Sequence, residues 1–511
     1  MWLSALLALT LLGLAALAFW RPQVGVLVLL FLLYTRLSDH SLFDFMVPSP
    51  NQVLSGVFVV AVLAHRLFLH RQGLVWDRTL GWMLVLAVPI ALSMTVALIR
   101  GAALNGLIAY LRDLLIVLIV VNLITSAERL RLAIWSLVAG ATALSLLAIV
   151  HRLTGFDFGG LASVEVSYLA SQGFGPRVAG AINESNYFAQ MLVLTVPLAL
   201  YLAWSERQRL IRGLALGATS LLGLTTMLTM SRGGFLALML VLGLAVVMQR
   251  RQPRLLLALG VALVPMLVGA PNTYWERMSS IGQLAQVVLT SVASTTGTPP
   301  LTSQLPPRPS PPPPPTPTVT VPATADASSP RADRSPVSPV SPPQGDRWMA
   351  RAATPPAFVG PSRSLSERTR LWMVAGVVIW HNPLLGVGRD NWYPSYPFYF
   401  WRVDPNLSGS PRGAHSAPLE IAAETGLPGL AAFVATLGSA VWGLRAAKRH
   451  FARASQPRQA LLLEGLELAI YGYLVTSLFL NDNYTRWLWL LVALAIVGRQ
   501  LVRHDAARTS R

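Results

Sequence analysis

Long apolar blocks, interrupted at intervals by arginine, constrain the fold of this chain more than any other feature. The blocks run to roughly 17–22 residues, the length at which a helix crosses the hydrocarbon core of a bilayer. Charged residues make up only 12% of the 511 residues, about half the share found in soluble domains. The sequence therefore predicts an all-α, polytopic transmembrane helical bundle. Twelve or thirteen spans are expected, over residues 3–20, 23–35, 51–64, 80–99, 103–124, 130–150, 186–204, 212–230, 233–249, 255–269, 428–444, 460–480 and 486–502.

Arginine-rich loops alternate along the chain with loops that carry little positive charge. The basic loops lie near residues 66–78, 129–131, 207–212, 250–254 and 445–458, and the C-terminal tail is also basic. Positive charge in short loops marks the cytoplasmic side of a membrane protein, so the other loops are expected to face outward. This pattern accounts for the formal charge of +18, and no nucleic-acid partner is expected.

Three regions follow from the spacing of the spans. Residues 1–269 are expected to form an N-terminal transmembrane bundle, and residues 270–427 a large extracytoplasmic loop. Residues 428–511 then supply the C-terminal transmembrane helices and a basic cytoplasmic tail. Within the loop, residues 285–362 form a proline-rich insert. We expect this insert to be mostly disordered, because it has too little apolar surface to offset the entropy lost on ordering.

Order is expected to return after the insert, with two surface helices in residues 364–425. A capping box, Ser364-Leu-Ser-Glu367, predicts the start of the first helix, which should end near Trp380. The second helix should follow Ser416 and be broken at Gly426 before the next span.

Several kinds of chemistry are disfavoured because their residues are missing. The chain has no cysteine, which excludes disulfides, thiolate nucleophiles and Cys-ligated metals. It also lacks a Walker-type phosphate loop, an HExxH motif and an outward Asp-x-Asp pair. ATP hydrolysis and a metal-bound sugar-nucleotide donor are therefore disfavoured, and no metal or cofactor is expected.

One candidate site residue is Arg232, in the short outward turn Met230-Ser-Arg-Gly-Gly234 between two spans. A charged group at membrane depth is costly, which makes it a functional candidate. The competing explanation is an arginine that snorkels to lipid phosphates. The two glycines favour a ligand, because they would permit close backbone approach.

Two further candidates lie in the outward loop. Arg368 and Trp372 are four residues apart and share a helix face, with Arg370 pointing elsewhere. A guanidinium can fork onto two phosphate oxygens, although a solvated face or a cation–π contact would also explain the spacing. His415 precedes the second helix and could act as a general base near neutral pH, although a lone histidine is more often structural.

The outward surface also carries excess positive charge. Residues 362–417 contain six arginines against three carboxylates, an excess of three, which favours an anionic partner. Arg177 and the polar run Asn183–Tyr187 are expected on the same side, where helix capping by Asn183 or Ser185 competes with ligand contact. Within a span, Arg112 and Asp113 are interpreted as a self-neutralising pair.

The ordered set of motifs resembles the O-antigen ligase and polymerase superfamily over about residues 170–440, apart from the insert. The matching segments are Arg177-Val-Ala-Gly180, Asn186-Tyr-Phe-Ala189, Ser231-Arg-Gly-Gly-Phe235, Arg368-x-x-x-Trp372, Asn382-Pro-Leu-Leu-Gly-Val-Gly388, His415-Ser-Ala-Pro-Leu-Glu420 and Glu424-Thr-Gly-Leu-Pro-Gly429. The resemblance implies a membrane glycosyltransferase of the GT-C-like class. Such an enzyme transfers a glycan from undecaprenyl diphosphate to an acceptor hydroxyl, with inversion and without metal.

The resemblance also implies roles for individual residues. Arg232 and Arg368 would hold the diphosphate, and His415 would be the catalytic base. Candidate substrate contacts are Arg177, Asn186, Trp372, Arg412 and Glu424. The partners would be a lipid-linked glycan donor, a glycan, lipid or protein acceptor, and the bilayer. The site would lie on the periplasmic side of the cytoplasmic membrane.

Other functions remain open at this point. A polysaccharide polymerase would use the same donor site with a second lipid-linked glycan as acceptor. A bicarbonate or solute transporter would predict internal repeats and broken helices with polar residues at mid-membrane depth, which the sequence does not display clearly. A third alternative is a non-catalytic scaffold whose outer loop binds cell-wall glycan.

Overall fold

The computed structural model of the chain describes residues 20–35, 74–156, 163–165, 177–279, 361–404, 412–481 and 486–509, besides the single residues 13 and 57. The predicted spans at 3–20 and 51–64 lie almost entirely outside the described residues. Residues 285–360 of the proline-rich insert also lie outside them, so these expectations stay predictions. The last two residues of the predicted insert, Pro361 and Ser362, instead begin a helix.

The described part of the chain is almost entirely helical. The helices are α1 (Pro22–Thr35), α2 (Arg78–Ser93), α3 (Arg100–Leu123), α4 (Ala127–Thr154), α5 (Ser185–Ser205), α6 (Arg209–Leu228), α7 (Arg232–Gln249), α8 (Pro253–Gly269), α9 (Asn272–Ser279), α10 (Pro361–His381), α11 (Trp392–Ser395), α12 (Ala417–Arg453), α13 (Pro457–Ser477) and α14 (Arg486–Thr509). Between α4 and α5, strands β1 (Ser163–Glu165) and β2 (Arg177–Gly180) form a small antiparallel pair. The segment after α11 continues in two 3₁₀ turns, Tyr396–Phe398 and Phe400–Arg402.

Seven of the described helices are long and apolar enough to cross a membrane: α3, α4, α5, α6, α7, α12 and α13. The pair α8 and α9, bent by 97°, would make an eighth span, and α1 and α2 contain shorter apolar helices. The protein is therefore a multi-pass helical membrane protein, as the sequence predicts.

Helix α5 lies at the centre of the bundle. Its apolar residues are buried on every side, because it packs against α4, α6, α7 and α13. Close helix contact in membranes depends on small residues. At one crossing of α13 and α5, a Cβ at Gly465 would lie only 2.8 Å from the Cβ of Tyr201. The site residues at the start of α5 are therefore held by a rigid central element.

Ion pairs join the helices at one end of the bundle. Arg131 at the start of α4 lies 2.7 Å from Glu206 after α5, and Lys448 of α12 lies 3.1 Å from Glu467 of α13. Arg499 of α14 lies 3.3 Å from Asp77 before α2. We call this the basic end, because the arginine-rich loops that are described converge there. The turn before α7 and the start of α5 lie at the opposite end, which we call the site end.

The charged pair inside α3 differs from the expectation. Asp113 lies 3.7 Å from the Nε of Arg486 on α14, and the charge pairing is between helices. Successive residues on a helix point about 100° apart, so neighbours in sequence do not face each other. The prediction of a self-neutralising Arg112–Asp113 pair was therefore wrong.

The two outer helices follow the predicted pattern with shifted bounds. Helix α10 begins at Pro361, three residues before the expected cap at Ser364, and ends at His381. Helix α12 is broken at Gly426, where φ is +73° and ψ is 178°. This backbone conformation suits glycine. The break separates a short outer segment from the membrane-crossing segment, as predicted.

Candidate functional site

The turn between α6 and α7 fixes the position of Arg232. Met230 is fully buried and has a φ of +54°, a left-handed conformation that costs a non-glycine residue about 1 kcal/mol or more. Ser231 then caps α7, with its Oγ accepting a hydrogen bond of 3.2 Å from the Gly234 amide. Arg232 is thus the first residue of α7 and is held by a constrained turn.

The two glycines after Arg232 serve helix packing. A Cβ at Gly234 would lie 2.9 Å from the Cβ of Ala189 on α5, and a Cβ at Gly233 would lie 3.3 Å from the ring of Phe479. The sequence analysis expected the two glycines to allow close approach of a ligand. Neighbouring side chains occupy that space instead. The glycines bring Arg232 close to the centre of the bundle.

Arg177 ties three elements together behind Arg232. It is buried at the start of β2, where its Nε donates to the carbonyl of Thr229 over 2.9 Å. Its Nη2 donates to Asn186 Oδ1 over 3.0 Å, and Asn186 in turn donates to Glu184 over 2.8 Å. The resulting network joins β2, the start of α5 and the turn before α7.

The start of α5 also corrects a sequence expectation. Glu184, and neither Asn183 nor Ser185, caps this helix, because its side chain accepts a hydrogen bond of 2.8 Å from the Tyr187 amide. Asn183 instead takes a left-handed conformation with a φ of +60°. The polar run therefore combines a helix cap with the network of Arg177 and Asn186.

Arg368 reaches this network from α10. Burial lowers the pKa of Arg368, and the positive charges of Arg232 and Arg177 lower it further, while Glu184 acts in the opposite direction. The three guanidinium groups therefore lie close enough to repel one another. Within the part of the chain that the structure describes, no carboxylate lies within ion-pair distance of Arg232 or Arg368, and the buried Nε of Arg232 has no hydrogen-bond partner.

The backbone of His415 is held in a left-handed conformation, with a φ of +49°, just before α12. Its amide donates to the Oδ1 of Asn481, which follows α13. Its carbonyl receives a long hydrogen bond of 3.5 Å from the indole of Trp372. Asn481 also donates to the hydroxyl of Tyr393 over 3.3 Å. The contacts of His415 with Asn481 and Trp372 are made by its backbone, and neither of them uses a ring nitrogen.

The imidazole of His415 lies in a positively charged surrounding. Burial lowers the pKa of His415 to about 4, and the charges of Arg368 and then Arg412 act in the same direction. The ring is therefore neutral near pH 7 and able to accept a proton. A bound anion would oppose the arginine charges and raise this pKa.

Glu424 is buried and makes a separate set of contacts, with Arg389, Trp392 and Gly388, which we call the clasp. Its Oε2 lies 2.7 Å from the Nη1 of Arg389, and its Oε1 accepts a hydrogen bond of 3.2 Å from the Trp392 amide. The amide of Gly388 donates to the Glu424 carbonyl over 2.9 Å. The clasp fixes the segment after α10 onto the outer part of α12.

The structure thus brings together Arg177, Arg232, Arg368, Arg412 and His415. Trp372 and Asn186 support this group, and Glu424 stabilises the neighbouring loop. Sequence reasoning missed Asn481, and it included Glu184 in the polar run without predicting that Glu184 caps α5. The sequence could have indicated Asn481, because this residue begins a short polar run between two apolar spans on the outward side. The turn that contains Arg232 has the same kind of position.

The comparisons with known proteins add a family assignment. The sequence model of the family described as O-antigen ligase matches residues 216–434, from α6 into the membrane-crossing part of α12. The match includes Arg232, Arg368 and His415 and leaves out Arg177 and Asn481. None of the curated proteins compared with the chain matches it. Over residues 216–434, the chain is therefore similar to the O-antigen ligase family.

Proposed function

We propose that the chain is a metal-independent, inverting glycosyltransferase of the O-antigen ligase type. It transfers a glycan from an undecaprenyl-diphosphate carrier to an acceptor hydroxyl on the outer face of the cytoplasmic membrane. The family match supports an O-antigen ligase or polymerase type of function. The observation that carries the specific proposal is the approach of Arg232 and Arg368 to each other beside a neutral His415, with no carboxylate partner for either arginine among the described residues.

The arginines are assigned to the diphosphate. Arg232 and Arg368 repel each other, and an anionic ligand between them would offset that repulsion. Each guanidinium can donate two parallel hydrogen bonds to phosphate oxygens. Negative charge on the diphosphate grows as the glycosidic bond breaks, so these contacts strengthen in the transition state.

His415 is assigned to the acceptor. Its neutral imidazole takes the proton of the acceptor hydroxyl while the hydroxyl oxygen attacks the anomeric carbon. The bond from that carbon to the diphosphate oxygen breaks, and its electron pair leaves with the lipid diphosphate. Binding of the donor would raise the pKa of His415 by offsetting the charges of Arg368 and Arg412. The base therefore becomes stronger once the donor is in place.

The charge distribution supports the proposed outward orientation of the site. The basic end carries the arginine-rich loops, and positive loops face the cytoplasm. The site end therefore faces outward, where a carrier lipid would present its glycan. Each end has its own contacts between segments. Arg131 contacts Glu206 at the basic end, and Arg177 contacts the carbonyl of Thr229 at the site end.

The proposal is tested by incubating purified protein with an undecaprenyl-diphosphate oligosaccharide and defined acceptors, with mass spectrometry of the products. Glycan joined to a lipid, protein or saccharide acceptor is the expected result, with release of the lipid diphosphate. Elongated lipid-linked glycan would instead identify a polymerase. The His415→Ala variant should transfer at least a hundredfold more slowly.

A matched control is His381→Ala, since His381 lies on the outer surface at the end of α10. This control should transfer at the wild-type rate. Normal transfer by a correctly inserted His415→Ala variant would contradict the assignment of the base. Absence of any product from the wild-type protein with every acceptor would contradict the proposed activity.

A further inference from the structure

A groove of about 740 Å³ opens at the basic end, between α2, α12 and α14. It lies apart from the arginine cluster of the site end and has no part in the proposed transfer. Small residues of α12 form its floor, including Gly438, Ser439 and Gly443. A Cβ at Gly438 would meet no atom within 4 Å, so the groove reaches the helix backbone there.

Three arginines line the groove: Arg78, Arg499 and Arg503. The Nε of Arg499 lies 3.3 Å from Asp77, and its side chain crosses Gly443, where a Cβ would lie 3.0 Å from its Cδ. Arg78 and Arg503 are exposed. Three guanidinium groups against one carboxylate leave an excess of two positive charges at the groove. Its chemistry therefore favours an anion.

Two tryptophans, Trp82 and Trp442, lie along the same groove. Trp442 is 72% exposed, an unusual state for the largest side chain unless lipid covers it. Tryptophan is enriched at the level of the lipid headgroups, where its ring contacts acyl chains and its N–H remains hydrated. The arginines and tryptophans therefore combine an anion-binding surface with one that suits acyl chains.

We propose that this groove binds an anionic phospholipid from the leaflet at the basic end. The phosphate lies against Arg78 and Arg503, and the acyl chains follow Trp82 and Trp442. A phospholipid fits better than a soluble phosphate, since the groove continues from the arginines onto the exposed apolar surface of α12.

Such a lipid would join helices from distant parts of the chain. Asp77 connects α2 to α14 through Arg499, and Thr79 of α2 contacts Ser439 of α12 over 2.9 Å between hydroxyl oxygens. A headgroup in the groove adds contacts across the same three helices. The bound lipid therefore acts as part of the packing at the basic end.

The test is native mass spectrometry of the full chain released from membranes that contain phosphatidylglycerol and phosphatidylethanolamine. The wild-type protein should retain phosphatidylglycerol preferentially. The double variant Arg78→Gln/Arg503→Gln should reduce that preference about tenfold or more, because each arginine near an anionic headgroup contributes substantially to binding. Gly438→Leu should also reduce it, since the new side chain fills the groove and leaves every charge in place.

Arg453→Gln is the matched control, because Arg453 is an exposed arginine at the end of α12 that does not line the groove. This variant should keep the wild-type preference. Unchanged retention in both the double variant and Gly438→Leu would overturn the proposal. Binding of inorganic phosphate with no preference between the two lipids would also overturn it, because the groove would then be a site for soluble anions.

Discussion

Two groups of arginines, one at each end of the bundle, are used in opposite ways. At the basic end, Arg131 and Arg499 each lie beside a carboxylate from another helix. At the site end, Arg232 and Arg368 lie near each other and Arg177, and no carboxylate of the described residues pairs with either of the first two. Paired charges hold segments of the chain together, whereas the clustered charges repel one another, as expected of a site proposed to bind an anion. The comparison separates residues that stabilise the protein from residues that are proposed to bind a ligand.

The largest expected effect concerns Arg368. Arg368→Ala should slow glycan transfer by a hundredfold or more, because one donor to developing negative charge contributes about 3 kcal/mol. The thermal midpoint should stay the same or rise, since the substitution removes a repelled charge. Transfer assays and thermal unfolding in the same detergent would measure both quantities.

The control for this change is Arg370→Ala, two residues away on the same helix. Arg370 is 46% exposed and lies 2.8 Å from Asp404, away from the cluster. The Arg370→Ala variant should transfer glycan at nearly the wild-type rate. Equal losses of activity in the two variants would show that α10 is sensitive to any arginine substitution and would remove the special role of Arg368.

The opposite behaviour is expected at the basic end. Glu206→Gln should lower the free energy of unfolding by about 2 kcal/mol, because it leaves Arg131 without its charge partner. The loss is smaller than for a fully buried pair, since Arg131 is 34% exposed. Glycan transfer at a temperature where the variant stays folded should be unchanged. A variant that lost activity without losing stability would break the proposed division between the ends.

The smallest expected effect is a shift in pH dependence. His415 must be neutral to accept a proton, so kcat/KM should fall as pH drops through its pKa of about 4. Arg412→Gln removes one of the two charges that lower this pKa, Arg368 being the other. The acid limb should therefore move to higher pH by less than one unit. Rate profiles of the two proteins between pH 3.5 and about 7 would measure the shift.

The lowered pKa of His415 also makes the stability of the folded protein fall as the pH decreases. The folded state binds a proton at His415 less tightly than the unfolded state does, because 6.5 is lowered to about 4. The contribution to stability is therefore complete above about pH 6.5 and is lost as pH falls toward 4. His415→Gln should show a smaller loss of thermal midpoint across this window. An identical pH dependence of the two midpoints would contradict the buried, neutral state of the ring.

The sequence predicted features that depend on local patterns. The break at Gly426 and the end of α10 before Asn382-Pro383 were predictable, since glycine and proline limit the backbone directly. The turn that carries Arg232 was also predictable, because it separates two apolar blocks. The family resemblance selected Arg368 and His415 from equally plausible alternatives that spacing alone left open.

Features that depend on contacts between distant segments were not predicted. The partner of Asp113 is Arg486, which lies on the last helix, and the partner of the Arg177 Nε is a carbonyl 52 residues away. The two short strands were also missed. With only three and four residues, they carry too little alternation to stand out in the loop between 151 and 185.

The contact between Asn481 and the His415 amide crosses the boundary of the family match, which ends at residue 434. A chain shortened before the last helical hairpin would retain all of residues 216–434, which match the family model, and lose the Asn481 side chain that holds the His415 backbone. The segment that matches the family model is therefore shorter than the set of elements that hold His415 in place, and a truncation designed from the match alone is expected to lose that support.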